Sequence, residues 1–182
     1  MQELKDTQSE ADTRNISSDR VGVKGLRFPI QIQDKLNRIQ STVATVSLAV
    51  DLPEEFKGTH MSRFVEALHQ HGPLLDVHTA LSIPRELLGR LSASRSHVEM
   101  EFPFFRAKAA PVTGREGLMD YVVRFEMEAE AGDRLADFKL TVVVPVTTLC
   151  PCSKAMSSYG AHNQRGIVTL SLIHISEPTR PY

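Results

Sequence analysis

Five segments of the chain alternate apolar and polar residues in the way that a half-buried β-strand does. The first two follow one another along the chain, the second ends at the turn residues Asp51, Leu52 and Pro53, and the pair predicts a hairpin. Gly132 and Asp133 supply a turn between the last two. The predicted strands cover residues 26–32, 42–50, 98–104, 121–127 and 138–146.

The apolar spacing changes to three and four residues between the second and third predicted strands, which indicates helices. Phe64 and Leu68 fall on one face of the first helix, and Gly72 with the following proline ends it. A second helix is predicted within residues 74–91, where Pro84 breaks the helix and begins a new first turn. This order of elements predicts an α+β domain, with an antiparallel sheet and both helices on one face.

Composition limits the function classes to be considered. The 182 residues are 41% hydrophobic and carry a formal net charge of −1, which is typical of a globular protein and argues against a general nucleic-acid binder. No run reaches the roughly 18 apolar residues of a membrane span. Residues 1–20 lack the apolar block of a signal peptide and predict a disordered tail. We therefore expect a cytoplasmic protein with neither a nucleic-acid nor a membrane partner.

The segment from Leu149 to Arg165, LCPCSKAMSSYGAHNQR, concentrates the reactive groups of the chain. A thiolate is a nucleophile and a soft metal ligand, an imidazole is a base or a ligand, and nearby cations lower a thiol pKa. Cys150 and Cys152 would close a strained ring if oxidised, so they are better explained as site residues. Cys150 and His162 suit a shared divalent metal ion, but a stable site needs at least one more ligand.

A structural explanation of the same residues stays open from chemistry alone. Both cysteines are also consistent with small buried apolar side chains, and His162 with a loop histidine that hydrogen-bonds locally. Lys154 and Arg165 suit either solvated surface charges or contacts to phosphate. Asn163 and Gln164 suit either a purine edge or the backbone of the loop.

The segment from Leu149 to Arg165 is similar to the signature of the GTP cyclohydrolase IB family, the second type of GTP cyclohydrolase. The segments VKGLRFPI, KGTHMSRF and TTLCPCSK also resemble the corresponding parts of that family, so the resemblance runs from about Val21 to Thr169. It implies the tunnelling fold, in which four-stranded antiparallel sheets with two helices assemble into barrels. It further implies two such modules in one chain and a homotetramer.

The resemblance also implies a reaction and a site. In the family, a metal-activated water attacks C8 of the guanine of GTP, the imidazole ring opens, formate leaves, and 7,8-dihydroneopterin triphosphate forms for folate-type pterin synthesis. Cys150 and His162 match the family's catalytic metal ligands, and Cys152 matches an accompanying cysteine whose role is left open. The cofactor would be a divalent ion of zinc, manganese or iron. From charge and hydrogen-bonding capacity we add a hypothesis for the substrate contacts: Lys154, Asn163, Gln164 and Arg165.

The resemblance divides the chain into parts. After the tail at residues 1–20, residues 21–147 match the first module and the strand that leads to the site, and residues 148–169 match the active-site loop and the start of a second module. Residues 170–182 resemble no part of the family and are predicted to be a non-native tail. The rest of the second module, with its glutamates for metal and purine, is missing, so we expect a C-terminally truncated, inactive fragment.

Two alternatives from other classes remain. A nitrile reductase of the same fold uses a cysteine nucleophile and NADPH without a catalytic metal, and the sequence His162-Asn163-Gln164 favours the cyclohydrolase over it. A non-enzymatic Cys-Pro-Cys module would bind metal or exchange thiols without consuming GTP.

Overall fold

The computed structural model describes residues 17–33, 38–54, 56, 58–132 and 137–174. In order, the elements are β1 (Ser18–Gln33), β2 (Ile39–Leu52), α1 (Met61–Gln70), β3 (Leu74–Leu75), α2 (Val77–Leu91), β4 (Arg95–Ala109), β5 (Glu116–Glu130), β6 (Asp137–Leu149), α3 (Pro151–Met156) and β7 (Asn163–His174). The α+β class expected from the sequence is confirmed. None of the described helices combines the length and the apolar character needed to cross a membrane.

All of these strands join one sheet, in the order β3-β1-β2-β4-β5-β6-β7. Neighbouring strands are antiparallel, except that the short β3 pairs in parallel with β1. β7 forms one edge, with no further strand beyond it in the described part of the chain. The segment that carries the reactive residues therefore lies at the edge of the sheet and not at its centre.

One face of the sheet is apolar and packs against α1 and α2. Every second residue of the long strands points to this face, as the pleat requires, and Val46, Val98 and Met127 are fully buried there. Phe64 of α1 and Leu87 of α2 pack over the strands and also have no exposed surface. Complete burial of such a side chain contributes about 1.5–3 kcal/mol. The predicted position of both helices on one face is confirmed.

The opposite face carries charged side chains that pair across the strands. Arg124 of β5 contacts Glu101 of β4 at 2.5 Å, and Lys139 of β6 contacts Glu126 of β5 at 2.8 Å. These side chains are partly exposed, so each pair adds little to stability. The sheet thus has one dry face, against the helices, and one wet face.

β1 is longer than the alternating pattern predicted. It begins at Ser18, so the last residues of the predicted tail belong to it, whereas residues 1–16 lie outside the described residues. Its pairing with β2 shifts register between Val23 and Leu26, where Gly25 has a positive φ of 75°. A bulge of this kind moves the apolar face from odd to even positions, which interrupts the period of two. The sequence pattern therefore detected only the second half of the strand.

The predicted break at Pro84 is wrong, because α2 continues through it. Pro84 cannot donate to the carbonyl four residues before it, which costs the helix one hydrogen bond. Its own carbonyl accepts from the Ser96 hydroxyl at 2.7 Å, and its ring is buried against the core. Asp76 caps the helix by accepting from the Thr79 backbone N–H at 2.7 Å. Packing and capping thus outweigh the local preference of proline to end a helix.

Two further predictions concern residues that are only partly described. Asp133 of the predicted turn and residues 175–182 lie outside the described residues, while Gly132 has the positive φ of a turn glycine, 93°. Residues 170–174, which we assigned to the non-native tail, continue β7 and pair with β6 as far as Phe138 and His174. The non-native origin of residues 170–182 stays a prediction.

Asp51 joins the end of β2 to the start of β4. Its carboxylate accepts from the backbone N–H groups of Ser94 and Arg95 at 2.9 and 2.8 Å, and also from the Ser94 hydroxyl. Burial would raise the pKa of Asp51, but the hydrogen bonds from the Ser94 hydroxyl and the two N–H groups outweigh it, so the pKa lies below its usual value. The ionised carboxylate therefore stabilises this junction.

We expect Asp51→Asn to lower the free energy of unfolding at pH 7 by about 1–2 kcal/mol, because an amide cannot accept at both former oxygen positions. Since the folded-state pKa is depressed, this stabilisation is complete above the unfolded-state pKa of about 3.9 and is lost as the pH falls through the folded-state pKa. Urea unfolding of both proteins, from pH 7 down to about pH 2, measures the difference. Asp137→Asn, which alters an exposed carboxylate of β6, is the control and should change little. A difference between Asp51→Asn and the parent that is independent of pH would contradict the prediction.

Candidate functional site

The predicted site lies at the end of the β6–β7 hairpin where the loop that contains α3 connects the two strands. The two strands pair without a shift from Phe138 and His174 to Leu149 and Asn163. In an antiparallel pair, the next two residues beyond that end must lie opposite each other, and these are Cys150 and His162. The backbone N–H of Cys150 indeed donates to the backbone carbonyl of His162 at 3.3 Å. The structure therefore brings together the two residues predicted as metal ligands, with Cα atoms roughly 5 Å apart.

The short helix α3 fixes both residues from the other side. Cys150 is its N-cap residue and Pro151 occupies the first turn, where a missing N–H costs nothing. The Lys154 backbone N–H donates to the Cys150 carbonyl at 3.1 Å, and the His162 backbone N–H donates to the Ser153 hydroxyl at 3.4 Å. Ser153 therefore positions His162, a role that the sequence analysis missed. Its only signal in the sequence is a hydroxyl residue near a helix start.

The side chains of the site are open to solvent. Cys150 is half-buried, whereas Cys152, Lys154 and His162 are exposed, and both cysteines are free. Tyr159 is fully exposed at 102%, and Met156 and Leu149 are also largely exposed. Exposed apolar and aromatic residues beside reactive groups are typical of a surface that another segment or subunit covers.

A groove of about 440 Å³ lies next to the cysteine–histidine pair, within the usual size range of small-molecule sites. Three of the four predicted substrate contacts line it; Lys154, on α3, does not. Its walls are formed by β5, β6 and β7, and the lining residues are Leu118, Met119, Asp120, Pro145, Val146, Thr147, Asn163, Gln164 and Arg165.

The donor atoms of the site fit a divalent metal ion in part. A thiolate from Cys150 and an imidazole from His162 are ligand types that Zn²⁺ and Fe²⁺ accept, and a protein site normally supplies at least three ligands. Among the described residues, no three His, Cys, Asp or Glu side chains are grouped closely enough to hold an ion. The pair therefore suits an ion whose remaining ligands come from outside this part of the chain.

Comparison with known proteins places the chain in a family. A family model described as type I GTP cyclohydrolase folE2 matches residues 4–180. The GTP cyclohydrolase FolE2 of Akkermansia muciniphila is 89% identical over 178 residues, which are 98% of this chain and 67% of that protein. The proteins of the same name from Nitrosomonas eutropha and Syntrophobacter fumaroxidans are 48% and 50% identical, over 94% and 92% of this chain and 64% and 65% of their own lengths. The chain thus spans about two thirds of the length of these curated relatives, and it belongs to the type I GTP cyclohydrolase FolE2 family.

Proposed function

We propose that the complete protein containing this chain is a GTP cyclohydrolase that converts GTP and water to 7,8-dihydroneopterin triphosphate and formate. The observation that carries the proposal is the cross-strand neighbourhood of Cys150 and His162, in a chain whose curated relatives are named GTP cyclohydrolase FolE2. Family membership favours this reaction over the nitrile reductase and over the non-enzymatic thiol module.

In this proposal Cys150 and His162 hold a divalent ion of zinc, manganese or iron, together with ligands from the rest of the protein. When bound, the ion supplies Lewis acidity and brings the pKa of water towards about 7, which is the activation that attack on C8 of guanine requires. Hydrogen bonds at both the N–H and the carbonyl of His162 hold its backbone in place. The backbone of Cys150 is likewise held, by its bond to His162 and by its N-cap position in α3, so the backbones of both proposed ligands are fixed.

The substrate contacts that we propose are Asn163, Gln164 and Arg165 in the groove and Lys154 beside it. Arg165 pairs across the hairpin with Thr147, so the sheet holds the backbone that carries the guanidinium group. Lys154 lies on α3, one turn from Cys150, and is exposed. A guanidinium and an ammonium on the two sides of the loop suit the charge of a triphosphate. The amides of Asn163 and Gln164 suit hydrogen bonds to other parts of the nucleotide.

We also propose that the complete protein has the bimodular tunnelling fold of the IB type and forms a homotetramer in the cytoplasm. The support is the free edge at β7, where the apolar side chains of Ile167 and Val168 are exposed within the part of the strand that the resemblance covers. An edge strand with exposed apolar side chains favours pairing with another strand. The additional third of the relatives' length would supply such strands. Two free cysteines suit a reducing compartment.

We expect the 182-residue chain alone to release no measurable formate from GTP, because its described residues offer only two metal ligands and leave β7 uncovered. A chimera that joins residues 1–169 to the remaining C-terminal part of the Akkermansia muciniphila relative should release formate. Formate and pterin fluorescence, measured with and without added Zn²⁺, Mn²⁺ or Fe²⁺, give the comparison. If the isolated chain turned over GTP as fast as the chimera, its site would be complete without the C-terminal part of the relative.

In the chimera, Cys150→Ala and His162→Ala should each lower GTP turnover by at least about 100-fold, since each removes a proposed ligand of the activating ion. The metal content per chain, measured by mass spectrometry of the purified proteins, should fall in parallel. Ser158→Ala, an exposed position in the same loop, is the matched control and should change neither quantity. Full metal content in both variants would contradict the assignment of these residues as ligands.

The double variant Lys154→Ala, Arg165→Ala of the chimera should weaken GTP binding by about 10–100-fold, because hydrogen bonds to charged groups are lost. Binding of guanosine, which has no phosphates, should stay nearly constant. The same loss of charge at two exposed positions elsewhere, Lys24→Ala with Arg85→Ala, separates a local contact from a general electrostatic effect. Unchanged affinity for GTP in the first double variant would refute the hypothesis.

A further inference from the structure

The groove beside the candidate site has a second wall, formed by the first half of β5. β5 and β6 pair only from Glu128 and Asp137 to Val122 and Val143. Beyond that point β5 stays paired with β4 as far as Glu116, while β6 stays paired with β7. The two hairpins therefore diverge from the end of the β5–β6 pairing, and the groove is the opening between them.

Strand alternation determines which side chains share a face of this opening. Val123 of β5 is buried in the core and lies opposite Val142 of β6, so both belong to the dry face. Asp120 lies three positions before Val123, and Thr147 lies five positions after Val142, so both point to the wet face. Arg165 is the cross-strand partner of Thr147 and shares that face. The groove thus presents a carboxylate from β5 and a guanidinium from β7 on the same side of the sheet.

The two charged side chains of this groove, those of Asp120 and Arg165, have no partner within the described part of the chain. Asp120 is exposed, and neither its carboxylate nor the Arg165 guanidinium forms a hydrogen bond or ion pair with another described residue. Leu118 lies two residues before Asp120 on the same face and is 76% exposed. A carboxylate next to an apolar side chain suits a ligand group that combines hydrogen-bond donors with carbon surface, such as the hydroxyl edge of a sugar.

The distance across the groove limits which part of a nucleotide reaches Asp120. β6 lies between β5 and β7, so the backbones that carry Asp120 and Arg165 are two strand spacings apart, about 10 Å or more. A triphosphate held at Arg165 must avoid the carboxylate, because like charges repel. The ribose hydroxyls are the nearest donors that a nucleoside triphosphate extends away from its phosphates over such a distance.

We infer that the Asp120 carboxylate binds the ribose 2′- and 3′-hydroxyls of GTP, with the sugar carbons against Leu118. This inference rests on the proposed function, because it places GTP in the groove with its phosphates at Arg165. Asp120 is then a specificity-determining residue that selects ribonucleotides. Its carboxylate accepts from two adjacent hydroxyls, which a deoxynucleotide cannot offer.

The test compares the binding of GTP and 2′,3′-dideoxyGTP to the chimera and to its Asp120→Ala variant, by competition with a fluorescent nucleotide. In the parent, GTP should bind about tenfold or more tightly than the dideoxy analogue. In the variant this ratio should fall to about one. The ratio excludes the general effect of removing a negative charge near the triphosphate, because both ligands carry the same phosphates. Asp137→Ala, another exposed carboxylate, is the matched control and should keep the parent's ratio.

A ratio that is unchanged in Asp120→Ala would overturn the inference. So would a loss of preference for GTP over inosine triphosphate at an unchanged dideoxy ratio, because it would assign the carboxylate to the base. Asp120→Asn, which keeps the size of the side chain and one acceptor, should give an intermediate ratio and guards against a folding defect. A chimera that binds GTP with the expected ratio but releases no formate would refute the proposed reaction alone. Absence of any GTP binding would refute both.

Discussion

Antiparallel pairing of β6 with β7 determines where the reactive residues lie, because a hairpin register that ends at Leu149 and Asn163 leaves Cys150 facing His162. Two residues that are twelve positions apart in the sequence are thus direct neighbours in the structure. A slip of one residue would turn every side chain of β7 to the other face and separate the pair. α3 adds a second constraint, since Ser153 holds the backbone of His162 from the loop side.

The two faces of the sheet explain why the groove is available for chemistry. The dry face is occupied by α1 and α2, and its side chains have no freedom to bind a ligand. The wet face is covered by charged pairs such as Arg124 with Glu101 for as long as β4, β5 and β6 stay paired. Where β5 and β6 diverge, this cross-strand pairing ends, and Asp120 and Arg165 are left without described partners. The end of the β5–β6 pairing thus leaves these charged side chains available for contact with a ligand.

Much of the fold followed from periodicity, because half-buried strands and amphipathic helices leave a repeating apolar pattern. The five predicted strands all exist, although each is longer than predicted. The two-residue β3 has no pattern to detect, and α3 is too short for helical periodicity. β7 does carry an alternating stretch, in which Val168, Leu170 and Leu172 are separated by Thr169 and Ser171, but its second half was assigned to a non-native tail and the strand was therefore missed. For β3 and α3, the missing signal reflects a short element whose conformation depends on its neighbours.

The cysteine–histidine pair could be predicted from the sequence because its residue types indicate metal or catalytic chemistry. The groove could not, because it depends on where the pairing of β5 with β6 ends. Asp120 carries no sequence signal, as it is one exposed carboxylate among many. The free edge of β7 and the pair of proposed metal ligands, Cys150 and His162, are separate features, one of packing and one of coordination. Both lie at the same edge of the sheet, where β7 begins beside His162. A segment that paired with β7 would therefore also pass close to Cys150 and His162, so a single added structural unit would cover the free edge and, in the proposed metal site, supply further ligands.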